Sequence, residues 1–359
     1  MTQVIPHGKF IDGDGHVIDS NIKDFLPPPY TGRGKQGVGV RGAFPAPDVL
    51  HNEPVHLLPG AHNQSGPKEW AEFLLDVGIE TTVLYPSLGL AIGNVSNRDW
   101  AIGLCRGYND WLDATYLKIG KQFQGMALLP MQDPEEAARE LRRCVSELGM
   151  RGGMMPANGL PANLGAKQFW PVYAEAERLG CALAVHGGGH QKMGLDTLES
   201  YPPVHALGHP FGQMISCAGM IFNGVFDRFP GLRVAYLEGG VAWLLLALER
   251  FDRSYETHVP YNPRGEMLKL AEGQRVSGYI KSLVDQGRFV VGCEGDEPMI
   301  GEAIRQLGAQ AFFFSSDYPH EVNAEKCKHE IGEILEHETL TVDQKNLVLR
   351  DTAQRFYRL

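Results

Sequence analysis

The chain has 359 residues, 43% of them apolar and 21% charged, with a formal net charge of −10. This is the balance of a globular enzyme rather than of a disordered or fibrous chain, and the absence of any basic block argues against nucleic acid as a partner. No run approaches the roughly 20 apolar residues of a membrane span, and the opening MTQVIPHGKF lacks the charged and apolar regions of a signal peptide, so a single-domain cytoplasmic enzyme over residues 1–359 is expected.

In chain order, short apolar runs alternate with longer helical patterns. Strands are expected at Lys9–His16, Glu80–Pro86, Phe123–Pro130, Met150–Ala157, Cys181–His186, Leu232–Gly239, Phe289–Gly295 and Ala311–His320. Most are nearly continuous apolar stretches, the signature of parallel strands buried on both faces. Helical patterns cover Lys68–Val77, Asn97–Leu117, Lys167–Leu179, Gln213–Phe229, Val241–Glu256, Glu297–Leu307, Ala324–Glu336 and a closing Thr341–Phe356. The clearest helix begins DPEEAARELRRCVSELG: Asp133 caps it, Pro134 suits its first turn, Glu136 completes a capping box, and Ala137, Leu141, Val145 and Leu148 form one apolar stripe.

Strand–helix alternation repeated eight times predicts an α/β fold, a (β/α)8 TIM-like barrel with an extra C-terminal helix. A doubly wound open sheet is the runner-up, but its glycine fingerprint is missing after the first strand. One stretch breaks the rhythm: residues 24–65, rich in Pro and Gly, form an insertion after the first strand, either a lid or a packing loop. The six cysteines are scattered without a CxxC pair and are expected to be buried thiols.

Active sites of such barrels gather where the strands end. Strand one ends in DGDGH, with Asp14 and His16 two apart and therefore on one face. Strand five ends in His186, strand six in Glu238, strand seven in Glu294, and strand eight in Asp317 followed by His320. A lone histidine after a strand is more often structural than a ligand. Several acidic and imidazole residues converging on one rim need a cation or protons to remain together in a low-dielectric mouth, and two histidines beside two carboxylates suit Zn²⁺, Mn²⁺ or Fe²⁺. His209 is expected at the entry of the next helix, facing the mouth, and His320 does the same from beyond Asp317. His190 and His205 read as supporting loop residues, and His62 could reach the site from the insertion. Arg151, at strand four, is a candidate partner for a substrate carboxylate, whereas Arg98 and Arg106 lie on a helix.

The pieces DGDGHV, VHGGG, GVFDRFPGLRVAYLEGG and SSDYPH resemble the amidohydrolase superfamily, in the branch of aminocarboxymuconate semialdehyde decarboxylase and the resorcylate and salicylate decarboxylases. The resemblance runs from strand one to the last helix. It implies metal ligation by Asp14, His16, His186 and Asp317, with Asp14 standing where relatives have His or Glu. It also implies association as a homo-oligomer or with a related subunit, for which Trp100, Tyr108 and Trp111 are candidate anchors, core packing being the other reading. One departure is sharp. Relatives end strand six with a histidine before two glycines, and here the words are LEGG, so Glu238 takes that place.

A single divalent metal, zinc by expectation, would then serve hydrolysis or decarboxylation of a small carboxylated or amide substrate, with Asp317 holding the metal and moving a proton and Glu238 acting as base. Alternatively Glu238 bridges two ions, Fe or Mn, with His209 or His320 completing the coordination of the second ion, as in an oxygenase. The third reading is a non-catalytic partner subunit with a structural metal.

Overall fold

The computed structural model describes residues 5–19, 21–31, 43–50 and 64–359. Eight strands form one sheet in sequence order, every neighbouring pair parallel: β1 (Phe10–Val17), β2 (Ile79–Pro86), β3 (Phe123–Leu128), β4 (Gly152–Pro156), β5 (Ala182–His186), β6 (Arg233–Leu237), β7 (Phe289–Cys293) and β8 (Phe312–Phe314). All eight lie where the sequence places them. Right-handed strand–helix–strand crossovers bring each strand back beside the last, and the result is a nearly closed barrel.

Closure falls to β1 and the segment after β8. His16 N–H donates to the Tyr318 carbonyl (2.7 Å) and Asp317 N–H to the Asp14 carbonyl (3.0 Å). Beneath them Asp12, fully buried, accepts from Ser316 N–H (2.9 Å), Ser316 Oγ (2.9 Å), Thr82 Oγ1 (2.6 Å) and Asp14 N–H (3.2 Å). One carboxylate thus ties β1, β2 and the β8 exit. Burial pushes its pKa up, and the four donors oppose that shift. The glycines of DGDGH have a packing cause. A Cβ on Gly13 would lie 2.3 Å from the Phe313 ring, and one on Gly15 would lie 2.5 Å from the Trp70 ring.

The helices are α1 (Pro67–Val77), α2 (Arg98–Leu112), α3 (Pro134–Ser146), α4 (Trp170–Leu179), α5 (Tyr201–Phe222), the single turn α6 (Val225–Arg228), α7 (Ala242–Thr257), α8 (Val276–Asp285), α9 (Ile300–Leu307), α10 (Ala324–Glu336), α11 (Val342–Asn346) and α12 (Thr352–Tyr357). Asp133 caps α3 by accepting from Glu135 and Glu136 N–H. The expected reciprocal half of that capping box does not form, because the Glu136 carboxylate pairs with Arg139. Three further differences matter. Helix α8 was not legible as a pattern, and α5 starts twelve residues before the expected Gln213. The expected closing helix is broken into α11, a wider turn at Leu347–Asp351, and α12. From α12, Tyr357 reaches into the barrel, where its hydroxyl donates to the Gly13 carbonyl (2.9 Å) and lies 2.8 Å from Tyr85 Oη.

Of the insertion, residues 46–48 are strapped to two loops of the mouth. The Ala46 and Pro47 carbonyls face Asn94 Nδ2 at 3.4 and 3.3 Å, and Pro47 also accepts from His190 N–H at 2.9 Å. Residues 32–42 and 51–63, with His51, His56 and His62, lie outside the described residues. All six cysteines are free and buried, and among the described residues no helix is long and apolar enough to cross a membrane. Trp100 is half-buried against Tyr30, whereas Tyr108 and Trp111 are buried in the core.

Asp12→Ala leaves buried donors on Thr82 and Ser316 without an acceptor and is expected to cost about 2–4 kcal/mol of stability, measured by urea unfolding. A cost below about 1 kcal/mol would show that the seam holds without it.

Candidate metal centre

Strand register decides which side chains meet. Pro156 pairs with His186 and His186 with Leu237, so the ends of β4, β5 and β6 are level and Glu238 projects one residue beyond His186. His16 pairs with Tyr85 near the end of β2. Glu238 and Asp317 sit one and three residues past their strands with φ of 61° and 52°. Left-handed backbone is costly for a side-chain-bearing residue and concentrates at functional sites. Here it turns two carboxylates back over the rim.

Asp14 Oδ1 lies 3.3 Å from His186 Nε2 and 3.5 Å from His16 Nε2, and His16 Nε2 lies 3.4 Å from Asp317 Oδ1. Donor atoms about 2.1 Å from one divalent ion are separated by about 3–3.5 Å, which is the spacing seen. The His16 tautomer is set from outside the site. Its Nδ1 donates to the Pro86 carbonyl (3.0 Å), and its Nε2, buried and without a hydrogen-bond partner, faces the two carboxylates. That is how a ligating imidazole is oriented by its second nitrogen. His186 Nδ1 lies 3.1 Å from the Gly187 carbonyl. Asp14, His16 and His186 form one group and Asp317 approaches it through His16, a donor set that fits a divalent cation.

Glu238, His209 and His320 line the same mouth. Glu238 Oε2 lies 3.1 Å from His209 Nδ1 and 3.2 Å from His186 Nδ1, and its Oε1 lies 3.8 Å from His320 Nδ1. His320 Nδ1 meets Asp317 Oδ1 at 2.9 Å, its Nε2 meets Ser87 Oγ at 2.9 Å, and its ring stacks on His16 with centroids 4.2 Å apart. Two overlapping groups can hold an ion, Asp14–His16–His186 and His16–Glu238–Asp317–His320, the donor atoms of each lying within 4.8 Å of one another.

The electrostatics are those of a site sharing protons among too many charges. Burial pushes Asp14 up to about 6, against the pull of His186. Burial and the neighbouring His320 and His186 hold His16 well below the ordinary histidine range, so its imidazole is neutral. Burial opposes charge on His186, His209 and His320 too, but facing carboxylates outweigh it. Asp14 and Glu238 raise His186, Glu238 raises His209, and Asp317 lifts His320 to about 9. Glu238 is held well below the usual carboxylate range despite its burial, chiefly by His209 and His186. Asp317 is raised by burial against the pull of His320.

The remaining candidates fall elsewhere. Arg151 precedes β4 and so sits at the barrel's N-terminal end, opposite the mouth. There it donates from Nε to Gln124 (2.7 Å) and from Nη1 to the Arg358 carbonyl (3.1 Å). The sequence showed that Arg151 touches a strand but not at which end. Glu294 does not join the mouth group but lies beside Asp296 and Glu330. His209 is two turns inside α5 rather than at its entry, which holds it more rigidly. His190 stands edge-on to His209 (4.6 Å between centroids) and 3.6 Å from Asp48 of the insertion. Sequence reasoning missed Ser87, which orients His320, and Asp48, which reaches the mouth. No periodicity marks either one.

Comparison with known proteins places the chain in a family. A family model described as Amidohydrolase matches residues 11–359. The chain is 28% identical over 226 residues to the 2-amino-3-carboxymuconate-6-semialdehyde decarboxylase of Dictyostelium discoideum, covering 61% of this chain and 57% of that protein, which is less than two thirds of the relative's length. It is 26% identical over 308 residues to a gamma-resorcylate decarboxylase of Rhodococcus jostii (strain RHA1), covering 77% of this chain and 86% of that one. The fold is similar, with TM-score 0.64 and 22% identity over 81% of this chain and 79% of the other, to the 5-carboxyvanillate decarboxylase of Novosphingobium aromaticivorans complexed with manganese.

His186→Ala is expected to remove the bound divalent ion from purified protein, read by elemental analysis, while Arg151→Ala retains it. Full metal content in the His186 variant would refute the centre as described.

Proposed function

This chain belongs to the amidohydrolase family, and on that premise we propose that it is a metal-dependent decarboxylase of a small aromatic carboxylic acid. The carrying observation is the meeting of Asp14, His16 and His186, with Asp317 3.4 Å from His16, on the rim that also holds the His209–Glu238 ion pair at 3.1 Å. The named relatives being decarboxylases supports decarboxylation over the hydrolysis that the sequence left open. Manganese in the similar 5-carboxyvanillate enzyme and the carboxylate-rich donor set favour Mn²⁺ over zinc.

Asp14, His16, His186 and Asp317 would hold the ion, which supplies positive charge to bind and orient the substrate's oxygens. His209, its proton retained by the Glu238 carboxylate that replaces the relatives' strand-six histidine, is the acid. It transfers that proton to the ring carbon bearing the carboxylate. The bond from that carbon to the carboxylate then breaks, its electron pair restores the aromatic ring, and carbon dioxide leaves. One proton is consumed for each carbon dioxide formed, and solvent returns it to His209. Glu238 stabilises the imidazolium beforehand and leaves it poised as an acid. The strap at residues 46–48, pinned to the β2 and β5 loops, narrows the mouth against water.

Supplied with Mn²⁺ and gamma-resorcylate or 5-carboxyvanillate, the protein is expected to release carbon dioxide and, in D₂O, to place deuterium on the vacated ring carbon. His209→Asn should lower kcat by about 10²–10⁴-fold with metal content unchanged. Chelation should abolish turnover, and Mn²⁺ should restore it. Carbon dioxide release undiminished in the His209 variant would overturn the assignment of the acid.

A specific observation favours a second reading. Glu238 Oε2 and His209 Nδ1 are buried and close, yet neither has an aligned hydrogen-bond partner. In that reading Glu238, with His209 or His320, holds a second ion, Fe or Mn. Two metal equivalents per chain would establish it, and one equivalent would exclude it.

A further inference from the structure

We propose that the base of the barrel, at the end opposite the mouth, carries a binding pocket for a phosphate dianion, formed by Arg233, Arg355 and Arg358. Arg233 opens β6, Arg355 lies on α12, and Arg358 follows that helix. Together with Gln286, Gln310 and Thr352 they line a cavity of about 420 Å³. The pocket is independent of the metal centre and of the decarboxylase reading.

The argument rests on charge without counter-charge. Arg233 is held rigidly by backbone carbonyls: Nη2 donates to Gly180 (2.6 Å), and Nη1 to Arg355 (3.3 Å) and Phe356. None of these acceptors is an anion, and its Nε is buried with no hydrogen-bond partner. Among the described residues no carboxylate forms an ion pair with Arg233 or Arg358. Arg355 meets only Asp351, at 3.8 Å. The one carboxylate in the lining, Asp285, is already engaged by Lys281 (2.5 Å) and by Gln310 Nε2 (2.9 Å). Thr352 Oγ1 is a further buried group with no partner. Burial and the nearby Arg358 charge lower the Arg233 pKa to about 10, so the cations destabilise one another.

Two uncompensated guanidinium charges match a dianion, whereas a monocarboxylate would leave one of them unanswered. Guanidinium forks fit the oxygens of phosphate. The cavity exceeds the volume of inorganic phosphate, so the dianion is either free phosphate or the terminal group of a small phosphoester.

The test uses the full-length, metal-loaded protein at constant ionic strength, with chloride as the balancing salt. Inorganic phosphate and glycerol phosphate are titrated separately by calorimetry and thermal denaturation. A saturable rise in Tm with 1:1 binding is expected, and the tighter of the two probes identifies the source of the phosphate. The variant Arg355→Gln/Arg358→Gln should bind at least tenfold more weakly, with decarboxylation unchanged. Absence of saturable binding in the wild-type protein overturns the proposal whether or not the variant folds. Undiminished binding in the variant also overturns it, since the phosphate would then be bound elsewhere, as at the mouth metal. For a variant too unstable to measure, Arg355→Gln alone, altering a largely exposed side chain, should still weaken binding, and unchanged affinity there counts against the pocket.

Discussion

The buried Asp12 carboxylate is the constraint on which the mouth depends. An ionised group without water must have its lone pairs answered, and Asp12 meets that demand with donors from β1, β2 and the segment after β8. Satisfying this one carboxylate draws the first and last strands together. Two residues later on β1 stands Asp14, and one residue after Ser316 stands Asp317. The seam and the metal centre are therefore consecutive layers of one structure, and the spacing of two candidate ligands follows from closing the barrel.

Above that layer the mouth balances its carboxylates only by holding protons. Three carboxylates face four histidines, one of which, His16, is held neutral by its surroundings. Without a cation, protons on His186, His209 and His320 balance Asp14, Glu238 and Asp317. A divalent ion would replace part of that proton inventory, and His209, closest to Glu238, is the group placed to keep its proton. The opposite end of the barrel has the reverse imbalance, with guanidinium groups on β6 and after α12 lacking anions. The overall charge of −10 hides this separation of a cation-seeking rim from a cationic base.

Local departures from ideal structure serve the same geometry. Helix α5 contains Pro210 and several glycines and would be a poor helix alone. Packing keeps it helical: a Cβ on Gly208 would lie 2.4 Å from His190, and one on Gly212 would lie 2.5 Å from Asn158. The close approach those glycines permit carries His209 to Glu238. Helix α8 is short and contains Gly278, so its propensity is weak and its apolar face is recognisable only once α7 and β7 pack against it.

The sequence by itself determined the strands and the barrel, because buried parallel strands must be apolar and chain order sets their neighbours. It also marked Asp14, His16, His186 and Asp317 as candidate ligands, because each lies at or near the C-terminal end of such a strand. Only the tertiary structure decided which polar groups share a rim and which lie at the other end. Arg151 went to the base and Glu294 to a separate acidic group, while Ser87 and Asp48 came to the mouth from loops without periodicity. The physical reason is that strand position is written in local hydrophobic pattern, whereas the meeting of side chains depends on register, closure and backbone turns such as the left-handed Glu238 and Asp317, which no local pattern encodes.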